Sequence, residues 1–224
     1  MNTLQSCLLS NKKNQAGVTL ISLLIGLFIS MLCILSSLTL YKSLIQVTVE
    51  AKSDTLHDGQ LAAAFLTTQL EIQSAGFQIA EPDADDVVVR VNAGTLELLW
   101  RFNDGAFRCR GLKETQETIA GLDYRVLNLV EATAGCDGDA ALVGMNWGEV
   151  ATLGRWAIRG EFATYMAGRD SMLNVNIATV PCSPYGSVNA TDHMVVTISA
   201  PSSSSIHGAV NGATTSFKYC LLNT

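Results

Sequence analysis

Residues 18–41 carry no charge over 24 positions, running from VTLISLLIG to SSLTLY. As a helix rising 1.5 Å per residue, such a run covers roughly 36 Å, more than the ~30 Å hydrocarbon core of a bilayer. The helical pattern does not stop where the membrane would. From Lys42 the chain has no proline and keeps helix-compatible residues to about Ala75, with Gly59 as its one weak interior point. Gly76 follows, the residue type that accepts a left-handed cap. One helix over 18–75 is expected, roughly 85 Å long, with 18–41 in lipid and the remainder outside it.

Flanking charge orients the span. Lys12 and Lys13 precede it, whereas Lys42 and Lys52 are mixed with Glu50 and Asp54 beyond it. The positive-inside rule then keeps the N-terminus in the cytoplasm and exports the rest. A secretory signal peptide has an apolar region of only about 7–15 residues and a small-residue cleavage site, and neither matches here. The whole chain has a net charge of −6, and the part after Gly17 holds 12 basic against 20 acidic residues. With no basic patch, nucleic acid is not expected as a direct partner.

Six cysteines are present. Cys7 precedes the span and Cys33 lies in it, leaving Cys109, Cys136, Cys182 and Cys220 in the exported part. Four cysteines at wide spacing in an oxidising compartment suggest two disulfides, with four buried thiols as the alternative. Three pairings exist. Sequence proximity favours Cys109–Cys136 with Cys182–Cys220 without deciding it. No C-x-x-C occurs, so a zinc site is not expected.

About 150 residues follow the helix, enough for one domain with its own core. Leu56, Leu61, Phe65 and Leu70, with Ala62 and Leu66 beside them, approximate one helical face that should pack on this domain. After the breaker Pro82 the pattern becomes strand-like. Strands are expected over 87–91, 95–102, 107–110, 119–130, 148–159, 173–180, 193–199 and 216–222, with turn-rich punctuation between them. The fold class is therefore α+β: a long N-terminal helix laid against an antiparallel sheet.

The stretch Gly17-Val18-Thr19-Leu20-Ile21-Ser22-Leu23-Leu24 resembles the N-terminus of type IV prepilins and pseudopilins. Those chains carry a short basic leader ending in glycine, an aromatic or apolar residue, a Thr-Leu-Ile stretch, a glutamate and a long apolar helix. His57-Asp58-Gly59-Gln60 through Leu70, then Ala75-Gly76-Phe77, is most similar to minor pilins of the PilW type. Leu122-Asp123-Tyr124-Arg125-Val126 is similar to a strand of that group and of J-type pseudopilins. The resemblance implies a leader over 1–17, cleavage after Gly17 by a prepilin peptidase and N-methylation at Val18. It also implies a pilin-like head over 76–224, an inner-membrane protein with a periplasmic domain, and later a place in a pilus. Other minor pilins, the major pilin and the inner-membrane assembly platform are its expected partners. Ser22 stands where the family carries its glutamate. That departure suits a subunit at a filament tip; it also suits a minor component that tolerates the loss, or a serine bonded to its own helix backbone.

Ser22, Gly26, Ser30, Cys33 and Ser37 follow at i+4, i+4, i+3 and i+4, a small-residue stripe that lets helices approach closely, although such residues are common in membrane helices generally. No catalytic site is expected: His57, His193 and His207 are the only histidines, and no G-x-S-x-G, H-E-x-x-H or Walker sequence occurs. Neither a cofactor nor a bound metal is expected. Asp83, Asp85 and Asp86, or Asp137 and Asp139, could hold calcium, but solvated acidic loops explain them more simply. Asn189-Ala190-Thr191 is a formal glycosylation sequon and is read as accidental. A pseudopilin of type II secretion and a pilus-borne adhesin are the alternatives to a minor pilin.

Overall fold

A computed structural model describes residues 19–81, 83–92, 94–183, 191–207 and 214–224. Gly17, Val18, Cys7, Pro82 and the Asn189 sequon lie outside the described residues. The chain divides into two units, Met1–Glu50 and Ala51–Thr224. Helix α1, Leu20–Ile72, begins in the first and ends in the second. Thr19 is its N-cap, accepting the Ser22 amide on its hydroxyl at 3.3 Å.

In the first unit every described residue is exposed, and α1 there is one helix long and apolar enough to cross a membrane. In the second unit α1 has two faces. Leu61, Ala64, Phe65, Thr68 and Ile72 are buried at helical spacing. Leu56, Leu66 and Leu70, expected on that same face, are 56%, 60% and 69% exposed, and Ala62 is exposed as well. The correction is geometric. A five-residue step turns a helix by about 140°, so Leu56 and Leu70 rotate away from the line through Leu61 and Phe65. The helix ends at Ile72, three residues short of the expected 75, and a turn carries the chain to Gly76.

Two antiparallel sheets follow, where sequence suggested one. The first is a five-stranded meander of β1 (Val87–Asn92), β2 (Thr95–Asn103), β3 (Phe107–Ile119), β4 (Leu122–Ala132) and β5 (Trp147–Ala157). The second has three strands, β6 (Asn174–Cys182), β7 (Thr191–Pro201) and β8 (Thr214–Cys220). Between them lies a short helix, α2 (Gly160–Met166), absent from the sequence expectations; a single turn, α3 (Ser203–Ile206), follows β7. β3 runs on to Ile119 instead of stopping at 110, and a tight turn at Ala120-Gly121 splits the strand expected over 119–130. Ala120 has a φ of +52° and Gly121 of +80°. Both central residues therefore occupy the positive-φ region that a two-residue hairpin demands, with alanine where asparagine or glycine is usual.

The core follows the two periods. Leu96, Leu98, Trp100 and Phe102 alternate along β2 and face Leu112, Leu127, Leu129 and Trp156 of the same sheet. Leu61, Phe65 and Ile72 of α1 close over them, joined by Val196, Ile198 and Tyr219 of the second sheet. Each such side chain contributes roughly 1.5–3 kcal/mol by leaving water. The opposite face of the first sheet carries a smaller cluster of Leu99, Cys109 and Leu142 with Trp147 and Cys136 packed on it. Disulfides join Cys109 to Cys136, closing the loop over that cluster, and Cys182 to Cys220, tying β6 to β8. This is the pairing that sequence proximity favours. β5, at the sheet edge, carries two bulges opposite β4, which turn an exposed edge away from pairing with another chain.

Candidate functional site

Helix α1 carries the five packing candidates that the sequence singles out. Ser22, Gly26, Ser30, Cys33 and Ser37 all lie on α1 within the first unit, and all are exposed. Ser37 donates its hydroxyl to the Cys33 carbonyl at 2.8 Å, which satisfies that polar group inside an apolar helix. A Cβ at Gly26 meets nothing within 4 Å. The stripe is thus open along the isolated chain, and larger side chains there conflict with nothing of its own. Cys33 is a free thiol.

In the second unit α1 is anchored by polar contacts as well as by its buried face. Tyr219 donates its hydroxyl to the Phe65 carbonyl at 2.9 Å, and burial pushes its ionisation far above the ordinary phenol range. In the turn just after α1, Ser74 Oγ accepts Trp100 Nε1 at 3.2 Å. His57 lies edge-on to Phe162 of α2, with ring centres 5.4 Å apart. At the end of the helix, Glu71 pairs with Arg110 of β3, and Arg110 in turn shares Glu131 of β4 with Arg108. These contacts hold one side of α1 firmly. The opposite side, through Leu56, Leu66 and Leu70, is apolar and bare.

Charged residues that sequence reasoning assigned to solvated loops or overlooked form buried locks in the head. Asp86 is not a calcium-loop oxygen open to water. It is buried, and its Oδ1 lies 2.6 Å from Arg101 Nε as an ion pair. Asp137 and Gly138 present their carbonyls to the same guanidinium. Glu114 points into the core from β3. It accepts the amides of Met172 at 2.6 Å and Leu173 at 3.0 Å, and the Ser171 hydroxyl. Arg125 of β4 lies 3.8 Å from Glu114 and donates to the carbonyls of Asp170 at 2.7 Å and Arg169 at 3.1 Å. Both locks fasten loops to sheet strands. Their partners are 11 to 59 residues apart in sequence, so no local spacing announces them.

The three histidines are not gathered. His57 faces the Pro201 carbonyl, His193 contacts Thr191, and His207 lies between two carboxylates. Among the described residues no group of three His, Cys, Asp or Glu side chains is placed to hold a metal ion.

Comparison with family models, with curated proteins and with solved structures finds no match to this chain. The pilin resemblance rests on residues 17–77 and on the strand around Tyr124.

Proposed function

We propose that this protein is a minor pilin that helps prime or cap a type IV pilus and acts by assembly, not catalysis. The observation that carries it is the bare face of α1 beyond Glu50. The sheets cover Leu61, Ala64, Phe65 and Ile72, yet Leu56, Leu66 and Leu70 on the other side stay in solvent. Exposing three large side chains along one helix costs solubility unless another apolar surface covers them. Helices of neighbouring subunits supply such a surface.

The first unit supports the same proposal. Its exposed apolar helix suits lipid before assembly, and transfer to a filament core costs little when neighbouring helices are equally apolar. Prepilin peptidase would cut after Gly17 and methylate Val18, releasing the helix for that transfer. In the filament its partners would be other minor pilins, the major pilin and the assembly platform of the inner membrane. Ser22 cannot provide the charge that a glutamate would offer the N-terminus of the next subunit. A terminal position, with no subunit to neutralise, fits that loss.

Deleting the gene and scoring pili, twitching and exoprotein secretion tests the proposal. Lost pili with normal secretion is the expected result. Lost secretion would instead identify a type II pseudopilin, and normal pili with lost attachment an adhesin. Gly26→Leu separates packing from insertion: the variant should still enter the membrane but incorporate poorly into filaments.

A further inference from the structure

Three side chains from adjacent turns of α1 hold the segment that leaves β7. His57 Nε2 donates to the Pro201 carbonyl at 3.0 Å. Asp58 accepts the Ser203 amide at 2.9 Å and the Ser203 hydroxyl at 2.7 Å. Asp54 lies 2.8 Å from His207 Nε2. The other ring nitrogen of His207, Nδ1, faces the carboxylate of Glu161 on α2. One imidazole therefore joins α1, α2 and the residue that follows α3.

An ionised carboxylate only accepts, and a neutral imidazole carries one N–H. Both contacts of His207 are satisfied together only by the imidazolium form. We propose that His207 is a proton-operated clasp that fastens residues 201–207 to α1 and α2 when protonated and releases one of its two carboxylates when neutral. The ties at His57 and Asp58 persist, so release loosens the segment locally and leaves the head folded. The inference stands independently of whether the chain assembles into a filament.

Among the described residues, few other groups stand near the ring to account for such a response. On α1, Asp54 touches the ring, Asp58 is taken by Ser203, and His57 is turned to Pro201 and Phe162. On α2, Glu161 touches the ring. The turn α3, SSSI, has no ionisable side chain. His207 is about a third exposed at its side chain (36%), so the proton exchanges with bulk solvent. Its titration is held above the ordinary 6.5: the hydrogen bond to Asp54 raises it most, partial burial opposes, and Glu161 adds to the rise. A histidine raised on folding contributes stability that is complete below about 6.5 and is lost as pH climbs through the raised value.

The test uses the full-length chain in detergent micelles. Long-range nitrogen NMR reads the His207 ring directly, and hydrogen exchange reads the amides of Ile206 and His207, which bond the carbonyls of Ser202 and Ser203 at 3.1 Å each. Both ring nitrogens should carry protons at low pH, with titration above 6.5. After correction for intrinsic exchange chemistry, amide protection should fall through that transition. The fall is about tenfold for each pH unit by which His207 titrates above its ordinary value. Asp54→Asn and Glu161→Gln should each move the titration back toward 6.5, and His207→Gln should abolish the pH step. Titration of the unaltered chain at or below 6.5, or protection that does not vary with pH, overturns the clasp whatever the variants do.

Discussion

Arg101 Nε lies 2.6 Å from Asp86 Oδ1, and the two side chains are 5% and 3% exposed. The same guanidinium donates to the carbonyls of Asp137 at 3.2 Å, Gly138 and Asp85 at 3.4 Å. Its backbone carbonyl accepts the Gly76 amide at 2.9 Å, just beyond the end of α1. One β2 residue thus sets three connections: the turn before β1, the disulfide-closed loop and the exit from the long helix.

Removing one member of a buried ion pair costs about 3–5 kcal/mol, because the survivor keeps an uncompensated charge. Asp86→Asn is therefore expected to destabilise the head by about 3 kcal/mol. Arg101→Met should cost more, since the loop carbonyls also lose their donor. Thermal unfolding of the chain in detergent gives both numbers. An Asp86→Asn variant as stable as the parent would mean that the pair is not a lock.

Gly76 and Gly59 make a controlled contrast. Gly76 has a φ of +72°, and a Cβ there would stand 2.1 Å from the Asn223 carbonyl oxygen, which is backbone and cannot swing aside. Gly76→Ala combines a left-handed penalty of about 1–2 kcal/mol with that clash, so a loss above 2 kcal/mol is expected. Gly59 lies inside α1, and a Cβ there meets nothing within 4 Å. Gly59→Ala should raise stability by up to about 1 kcal/mol through helix propensity alone. Unfolding midpoints of the two variants, moving in opposite directions, check both statements.

The long helix was legible because it depends on a local property, an uninterrupted run of helix-compatible residues closed by Gly76. The strands of β2 and β7 were legible for the same reason, their alternation being visible within a few residues. β3 was not. Its second half, GLKETQETI, looks polar because Glu114 is one of its inward residues, and its burial depends on amides near residue 172. The hairpin turn after it carries Ala120 in place of the usual Asn or Gly, so turn chemistry gave no signal. The outward face of α1 was misassigned because Leu56, Leu61, Phe65 and Leu70 look evenly spaced in sequence while rotating around the helix. Which apolar residues a helix buries is decided by the sheet it meets.

Acid should weaken the end of α1 through Glu131. Its carboxyl is pushed up by burial but pulled down further by the Arg108 hydrogen bond and charge, with Arg110 adding, so it ends below its ordinary 4.5. A carboxyl depressed on folding gives stability that is present above about 4.5 and lost as pH falls through its lower folded value. Glu131→Gln should remove that increment at neutral pH and flatten the acid limb of the stability curve. Because the group is partly exposed, the effect is modest, in the range of a surface pair. Midpoints measured from pH 3 to pH 7 in both chains test it, and parallel acid limbs would assign the acid sensitivity elsewhere.

Leu66 tests whether the bare face of α1 is used. It is 60% exposed, whereas Leu61, little more than one turn earlier, is 1% exposed. Leu61→Ala should cost about 2–5 kcal/mol, because it opens a cavity between α1 and the sheets. Leu66→Glu should change stability by no more than about 0.5 kcal/mol, as an exposed substitution does. In an assembly that covers this face, the same glutamate would have to be desolvated without a partner, a cost of several kcal/mol at each contact. The prediction is a chain that folds and inserts normally, keeps its unfolding midpoint and is missing from sheared filaments. Incorporation equal to that of the parent would show that the outward face stays in solvent after assembly, and would remove the observation on which the proposed function chiefly rests.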